Sequence, residues 1–229
     1  MSSGNGAAAT GTPVERIAAA GVVAVIEIDD PAKAEPLSDA LAAGGITALE
    51  ITFRTPAAAE VISWIAGNRP GMLVGAGTVL DAGGLERARE AGARFAVSPA
   101  SSDRLLDAAA DSGLPLVPGV ANPSDILRCL EHGLTHLKLF PAGVLGGLAA
   151  LEAFSAPFAP SGVRFMPTGG ITPANAADYL ATPSVFAIGG TWIARRGAIA
   201  AGDWDAVRSA AQQAAAMAAS TRDQVKGTI

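Results

Sequence analysis

Cysteine, charge and long hydrophobic runs are all scarce in this sequence of 229 residues. The single cysteine excludes a disulfide framework. Charged residues make up only 16%, and the 16 Lys and Arg residues form no basic stripe, which argues against nucleic acid or an anionic membrane as a partner. No stretch approaches about 18 strongly apolar residues, so no membrane span is predicted. We therefore expect a small-molecule partner.

The chain is long and largely apolar. Half of its residues are hydrophobic, which is enough for a sizeable core, and its length fits one large domain. The first dozen residues lack the basic cluster and the apolar segment of a signal peptide. We predict a flexible N-terminal tail over 1–12, a single domain over 13–220 and a frayed C-terminal tail over 221–229. The same features indicate a cytoplasmic protein.

Short runs of β-branched and apolar residues recur along the chain, about two dozen residues apart. Their continuous hydrophobicity indicates strands buried on both faces, which is typical of parallel sheets. The eight predicted strands are Val22–Ile28, Ala48–Phe53, Met72–Val79, Phe95–Pro99, Leu114–Val120, His136–Pro141, Arg164–Gly170 and Val185–Ile193.

Helical segments alternate with these strands, and glycine after several of them supplies a left-handed stop. The alternation predicts a closed (β/α)₈ barrel with an additional N-terminal helix, and an open doubly wound sheet is the alternative. The predicted helices start at Thr12-Pro13 and cover Pro31–Ala43, Ala57–Ala66, Asp81–Ala91, Asp103–Ser112, Ser124–His132, Pro173–Leu180 (with Thr172 as its cap) and Asp203–Ala219.

Lys138 lies within one of the buried strands, in the run Leu137-Lys138-Leu139-Phe140-Pro141. A charge in such a strand loses its hydration, at a cost of several kcal/mol unless it is paired or neutralised. A neutral amine could attack a carbonyl group, whereas a structural lysine would be paired with a carboxylate.

Strand parity brings Glu50 toward this lysine. Side chains alternate across a strand, so Ala48, Glu50 and Thr52 share the face opposite to the large apolar residues. The same parity on the sixth strand groups Lys138 with Phe140, so both strands direct polar groups inward. A lysine beside a carboxylate can form a Schiff base, because imine formation needs a proton relay. Phe140 either dries this site or simply packs in the core.

Glycine-rich turns follow the seventh and eighth strands, at Pro167–Thr172 and Ile188–Trp192. In barrels these turns commonly hold phosphate through backbone N–H groups and hydroxyls. A third turn, Gly75–Thr78, could bind a carboxylate together with Arg54, although a solvated arginine at the rim is equally compatible. A phosphorylated, carboxylate-bearing substrate is the prediction.

Other reactive side chains carry weaker signals. His132 and His136 are separated by a helix stop at Gly133, so a metal site is not expected. Cys129 is predicted to be a buried, inert thiol, and Ser98 has no histidine base near it in sequence. Glu27, near the end of the first strand, is left without an assigned role.

The ordered motifs resemble those of the 2-keto-3-deoxy-6-phosphogluconate (KDPG) aldolases, also known as bifunctional 4-hydroxy-2-oxoglutarate (KHG) aldolases. The resemblance covers about residues 13 to 200. The motifs are Leu49-Glu50-Ile51-Thr52-Phe53-Arg54-Thr55, Gly75-Ala76-Gly77-Thr78-Val79-Leu80, Ser98-Pro99, Leu137-Lys138-Leu139-Phe140-Pro141-Ala142, Pro167-Thr168-Gly169-Gly170-Ile171 and Gly189-Gly190-Thr191-Trp192.

The resemblance implies a class I aldolase on a (β/α)₈ barrel, a homotrimer that needs no metal or other cofactor. Such enzymes cleave KDPG to pyruvate and glyceraldehyde 3-phosphate in the Entner-Doudoroff pathway, and the KHG activity gives pyruvate and glyoxylate. The implied roles are Schiff-base lysine for Lys138, general acid and base for Glu50, carboxylate binding for Arg54 and Thr78, the pyruvate pocket for Pro99 and Phe140, substrate hydroxyls for Thr168, and phosphate for Gly169, Gly170, Gly190 and Thr191.

Three positions qualify the resemblance. Thr191 stands where some members have serine and keeps the hydroxyl, while Ala100 stands where glycine is common. Thr168 favours the phosphogluconate over the phosphogalactonate aldolases, which carry valine there. The alternatives that stay open are a phosphogalactonate aldolase, a phosphate-binding isomerase or synthase, and a non-catalytic barrel that senses a phosphorylated sugar acid.

Overall fold

A computed structural model of the protein describes the backbone of residues 11–226 and the side chains of residues 11–222. Most of the predicted N-terminal tail, residues 1–10, and the last three residues of the predicted C-terminal tail therefore lie outside the described residues. Within residues 11–226, every helix is too short or too polar to cross a membrane.

All eight predicted strands are present, with closer bounds, and the fifth is divided in two. Its halves, β5 and β6, are separated by Pro118, which has no N–H to donate to a ladder. The carbonyl of Pro118 still accepts a hydrogen bond from the Lys138 N–H, at 2.8 Å. The strands are β1 Val22–Ile26, β2 Ala48–Thr52, β3 Leu73–Gly77, β4 Ala96–Val97, β5 Leu116–Val117, β6 Gly119–Val120, β7 His136–Leu139, β8 Arg164–Phe165 and β9 Ile188–Gly190.

The strands run parallel throughout, so the predicted parallel α/β fold is confirmed. Six of them form one sheet in the order β5-β4-β3-β2-β1-β9, and the other three form a sheet in the order β6-β7-β8. Two isolated parallel bridges, Phe165 to Val185 and Thr168 to Gly189, connect the β8 segment to the β9 segment. The six-stranded sheet alone forms half of a barrel wall.

Helices cover the outside of the sheets, and two of them were not predicted. These are α7 and α9, which follow β7 and β9. The helices are α1 Pro13–Ala20, α2 Ala34–Ala43, α3 Ala58–Asn68, α4 Ala82–Glu90, α5 Asp103–Ser112, α6 Pro123–Glu131, α7 Gly147–Ser155, α8 Ala176–Ala181, α9 Arg196–Ala201 and α10 Trp204–Lys226, with 3₁₀ turns at Pro31–Lys33 and Ala156–Ser161.

Three predicted helix bounds are wrong by three residues or more. The helix predicted over Pro31–Ala43 starts with a 3₁₀ turn at Pro31–Lys33 and is α-helical only from Ala34. The helix after β8, the seventh of the predicted strands, begins at Ala176 and not at Pro173. The Asn175 carboxamide accepts a hydrogen bond from the Thr172 N–H (2.8 Å) and closes a turn before the helix starts.

The last helix continues to Lys226 and does not end at Ala219, so residues 221–226 are helical where fraying was predicted. Contacts of two residues hold this extension. The Thr221 hydroxyl donates to the Met217 carbonyl at 3.0 Å, and the Arg222 guanidinium donates to the carbonyls of Ala18 and Ala19.

Buried residues fall into two layers, as strand alternation requires. Leu49 and Ile51 of β2 pack outward against the helices, and Leu137 and Leu139 of β7 do the same. The inner layer is enclosed by the strands, with Ile17 of α1 added to it: Ile17, Val23, Ala48, Leu73, Phe95, Val97, Val117, Met166, Phe186 and Ala187. Above this apolar floor, the inward positions of the same strands become polar.

Candidate active site

A buried lysine and a buried glutamate meet inside the curved sheet. Lys138 Nζ of β7 lies 3.2 Å from Glu50 Oε1 of β2, and their side chains are 6% and 0% exposed. The two residues are 88 positions apart in sequence, and the strand parity that predicted their meeting is confirmed. An amine and a carboxylate at this distance can exchange a proton directly, which is what carbinolamine formation and dehydration require.

One oxygen of Glu50 has spare hydrogen-bonding capacity. Oε2 is buried, and within the described part of the chain no donor lies within hydrogen-bonding distance of it. A buried acceptor without a partner is costly, and such atoms concentrate at functional sites. The carboxylate therefore pairs with Lys138 through one oxygen and can accept a proton on the other.

Glycine on the neighbouring strand makes room for the carboxylate. A Cβ atom on Gly77 of β3 would lie only 2.1 Å from Glu50 Oε1. Because real Cβ atoms do not approach oxygen so closely, any larger residue at position 77 displaces the Glu50 side chain.

We expect Gly77→Ala to lower kcat by about 10- to 100-fold, because misplacing a catalytic group by about 1 Å costs up to that much. Steady-state kinetics measure the loss. Gly67→Ala is the matched control, since a Cβ at Gly67 of α3 meets nothing within 4 Å and should leave kcat unchanged. Equal activity of the two variants would contradict the proposed packing role of Gly77.

Phe140 borders the amine of Lys138, and Pro99 lies beside the strand that pairs with it. The ring centroid of Phe140 is 5.3 Å from Lys138 Nζ, in keeping with the shared strand face that parity predicted. Gly119 pairs with Lys138 across β6 and β7, and a Cβ on Gly119 would lie 2.2 Å from the carbonyl carbon of Pro99. Both residues are half-buried, and the Phe140 ring forms part of the wall around the amine.

The two glycine-rich turns lie at the ends of β8 and β9, as predicted. Thr168 is buried, and its Oγ1 occupies the space that a Cβ on Gly189 would take, at 2.2 Å. Gly169 and Gly170 have φ angles of +83° and +85°, a conformation that favours glycine. A Cβ on Gly169 would lie 3.2 Å from Phe140 Cε2, so this turn adjoins the wall beside Lys138. Gly190 is buried at the end of β9, and Thr191 is exposed just beyond it.

Thr78, directly after β3, has a φ angle of +57°. A β-branched residue rarely adopts this left-handed conformation, and strain of this kind costs about 1–3 kcal/mol and clusters at functional sites. The strand ends on either side hold it there: the Phe53 N–H donates to the Gly77 carbonyl (2.8 Å), and the Val79 N–H donates to the Val97 carbonyl (3.1 Å). The geometry supports a role for Thr78 that the sequence alone suggested only weakly.

Arg54 forms an ion pair with Glu27, a residue for which the sequence predicted no role. Its side chain is 62% exposed, and its Nη1 lies 2.8 Å from Glu27 Oε2. Sequence reasoning left Glu27 without a role, because the contact joins two loops after separate strands. The spacing of the two residues along the chain gave no signal of it.

Ser98, Asn122 (a further polar residue, just after β6) and the two histidines have structural roles. The Ser98 hydroxyl donates to the Ala100 carbonyl at 2.5 Å, and the Asn122 side chain caps α6 by accepting from the Asp125 N–H at 3.0 Å. His132 Nδ1 donates to the Arg128 carbonyl at 2.9 Å, and His136 packs edge-on against Phe186, so the two imidazoles do not converge. Among the side chains of residues 11–222, no three His, Cys, Asp or Glu residues are placed to hold a metal ion.

Cys129 is fully buried in α6, as predicted, and burial raises the pKa of its thiol to about 11. At about pH 8 only about one thiol in a thousand is then ionised, and the thiolate is the reactive form. We expect a disulfide reagent such as dithionitrobenzoate to label the native protein at least about 100-fold more slowly than the unfolded chain. Rapid release of one equivalent of thionitrobenzoate from the native protein would contradict this prediction.

Comparisons with known proteins place the chain among aldolases. The family model for KDPG and KHG aldolase matches residues 14–210. A 2-dehydro-3-deoxy-phosphogluconate aldolase of Pseudomonas aeruginosa is 48% identical over 193 residues, which cover 84% of this chain and 87% of that protein.

Two solved structures share the fold. A KDPG aldolase from Legionella pneumophila, with pyruvate captured at low pH as a covalent carbinolamine intermediate, is 40% identical with a TM-score of 0.84, and the match covers 88% of this chain and 97% of that chain. The KDPG aldolase of Zymomonas mobilis ZM4 with 3-phosphoglycerate is 41% identical with a TM-score of 0.82, and the match covers 89% and 95% of the two chains.

Proposed function

The chain belongs to the KDPG and KHG aldolase family, and on that premise we propose that it cleaves 2-dehydro-3-deoxy-6-phosphogluconate to pyruvate and glyceraldehyde 3-phosphate. It is a class I aldolase, and Lys138 is its Schiff-base residue. The observation that carries the proposal is the buried pair of Lys138 and Glu50, 3.2 Å apart. A buried ion pair is a weak device for stability, so its retention on two central strands favours chemistry.

The reaction begins when Glu50 takes a proton from the Lys138 ammonium group and the resulting neutral amine attacks the C2 ketone. A proton passes from the nitrogen to the carbinolamine oxygen, Glu50 gives its own proton to that hydroxyl, water leaves, and a protonated imine forms. The Glu50 carboxylate then removes the proton of the C4 hydroxyl, the C3–C4 bond breaks, and its electrons move through the imine to give an enamine. Glyceraldehyde 3-phosphate leaves, C3 takes the proton held by Glu50, and water hydrolyses the protonated imine to release pyruvate and regenerate Lys138.

The substrate carboxylate is held by Arg54 and Thr78. The guanidinium of Arg54 presents the fork of donors that matches a carboxylate, and the strained conformation of Thr78 directs its backbone and hydroxyl at the end of β3. Pro99 and Phe140 line the pocket for the pyruvate half, where they limit the access of water to the enamine.

The phosphate is bound at the two glycine-rich turns, by Gly169, Gly170, Gly190 and Thr191. The left-handed conformation of the first two glycines arranges successive backbone N–H groups into a concavity that accepts an anion. Thr168, on the same turn and buried, contacts the hydroxyl groups near the bond that breaks.

The electron sink in this reaction is the protonated imine itself. The enzyme therefore needs no metal or organic cofactor, and dialysis against a chelator should leave its activity unchanged. The reactants are a phosphorylated keto-sugar acid and pyruvate, with no nucleic acid or membrane involved.

The nine strands form a closed (β/α)₈ barrel. Two observations support closure: β5 and β6 are the halves of one strand interrupted at Pro118, and the bridges Phe165–Val185 and Thr168–Gly189 connect β8 to β9. The domain spans 13–220 and continues through α10. By resemblance to its family the enzyme is a cytoplasmic homotrimer of the Entner-Doudoroff pathway, and sedimentation equilibrium measures that oligomeric state.

The test is a coupled assay in which lactate dehydrogenase reports pyruvate release. We expect turnover of KDPG and slower release of pyruvate from 4-hydroxy-2-oxoglutarate, which lacks the phosphate. Faster cleavage of the phosphogalactonate diastereomer would reassign the substrate, and the absence of turnover with all three compounds in folded protein would overturn the proposal.

A further inference from the structure

Four charged residues form a network at the rim of the site. Glu27 follows β1 directly, and its two oxygens are divided between two arginines: Oε2 lies 2.8 Å from Arg54 Nη1, and Oε1 lies 2.5 Å from Arg196 Nη1. Arg196 in turn forms a forked pair with Asp29, through Nε and Nη2 at 2.8 Å each.

The network spans three neighbouring strands. Arg54 follows β2, Glu27 follows β1, and Arg196 begins α9 after β9, which are adjacent in the order β2-β1-β9. Glu27, at the centre of the network, is half-buried, with 15% of its side chain exposed, whereas Arg54 and Arg196 are 62% and 56% exposed. A carboxylate held in a fixed position can orient a longer, exposed side chain that forms an ion pair with it.

We propose that Glu27 is a positioning residue for Arg54, and that Arg196 keeps Arg54 available to the substrate by occupying the second oxygen of Glu27. This inference rests on the proposed function, since it concerns the arginine that holds the substrate carboxylate. Without Glu27, the exposed Arg54 side chain loses its orientation. Without Arg196, both oxygens of Glu27 can pair with the Arg54 guanidinium, and Arg54 is then no longer available to bind the substrate carboxylate.

In Glu27→Gln, the lost orientation of Arg54 raises KM, whereas the lost negative charge lowers it. In Arg196→Gln, the lost positive charge and the reduced availability of Arg54 both raise KM. Glu27→Gln frees Arg54 but also removes a negative charge that repels the substrate carboxylate, and that second effect weakens as salt screens it. Arg196→Gln removes a positive charge near the carboxylate, so part of its effect disappears in salt. The two variants should therefore respond to salt with opposite sign.

The experiment measures KM and kcat for KDPG at low salt and at about 0.3 M KCl, where the screening length falls below about 6 Å. We expect Glu27→Gln to raise KM by about 5- to 20-fold at high salt, with a smaller increase at low salt and kcat within about twofold. We expect Arg196→Gln to raise KM by about 3- to 10-fold at low salt, with a smaller increase at high salt.

A double-mutant cycle separates positioning from a general effect on the loops. In the Arg54→Gln background, Glu27→Gln should raise KM no further, because its positioning effect acts only through Arg54 and the loss of its negative charge cannot raise KM. The matched control is Glu35→Gln, which removes the ion pair between the exposed Glu35 of α2 and Arg69, the residue after α3, and should change neither constant.

Any of four results would overturn the inference: an equal rise in KM from Glu27→Gln in both backgrounds, a fall in kcat with KM unchanged, the same salt trend in both variants, or an unchanged KM in Arg54→Gln alone. None of these outcomes affects the Schiff base on Lys138, because borohydride trapping with pyruvate tests that step in the same preparations.

Discussion

Replacing Lys138 with methionine is expected to lower kcat/KM by at least about 10⁴-fold, because it removes the nucleophile on which every later step depends. Methionine has nearly the same length and packs readily in an apolar strand, so the change removes the amine with little loss of volume. Steady-state assays with KDPG, at the detection limit of the coupled assay, measure the loss.

The same substitution leaves Glu50 buried without a counter-charge, which costs about 3–5 kcal/mol and lowers the melting temperature. The double variant Lys138→Met with Glu50→Gln removes the uncompensated charge, so it should recover much of that stability and remain inactive. Aldolase activity within about tenfold of wild type in either folded variant would rule out Lys138 as the nucleophile.

Replacing Glu50 with glutamine should lower kcat by about 10²- to 10⁴-fold, the range of a lost general acid and base. The amide keeps the shape of the side chain and can still accept a hydrogen bond from Lys138 at the observed 3.2 Å. It cannot carry a proton between the amine and the carbinolamine oxygen. KM should change little, because no group that binds the carboxylate or the phosphate is altered.

Glu86→Gln serves as the control for this prediction. Its carboxylate pairs with Arg89 on the exposed surface of α4, so the variant should retain full activity. If Glu50→Gln kept activity within about threefold of wild type, Glu50 would not be the proton relay, and the proton transfers would have to be assigned to another group.

Much of the fold was predictable because buried parallel strands leave a strong sequence signal. All eight apolar runs became strands, although Pro118 divides the fifth in a way that continuous hydrophobicity does not reveal. Helix α7 was missed because it begins at a pair of glycines, Gly146 and Gly147, and has a single buried residue, Leu151, in place of an apolar stripe. Helix α9 was missed because it has six residues and no side-chain cap.

The start of α8 shows why a helix boundary cannot always be predicted from capping residues. The sequence Thr172-Pro173 matches a favoured helix start, but the Asn175 side chain accepts the Thr172 N–H and also donates to the Gly170 carbonyl at 3.0 Å. The Asn175 side chain thus closes the turn at Gly170–Thr172, and the helix begins only after that turn.

For the site, strand parity was sufficient to bring Glu50 and Lys138 together, because a period of two leaves only one choice of face. The space that Gly77 provides and the network around Glu27 were not predictable in this way. Glu27, Arg54 and Arg196 follow three separate strands, and their contacts depend on how far each loop extends beyond the sheet. Sequence patterns fix the strands far better than they fix the loops.

The central claim is that Lys138 forms the covalent intermediate, and reductive trapping tests it most directly. The chain has only three lysines, Lys33, Lys138 and Lys226, so peptide mapping can assign an adduct without ambiguity. After incubation with pyruvate and borohydride, we predict loss of activity and one pyruvate-derived mass increase, located on the peptide that contains Lys138. An adduct on another lysine, or none in folded and active protein, would contradict the account.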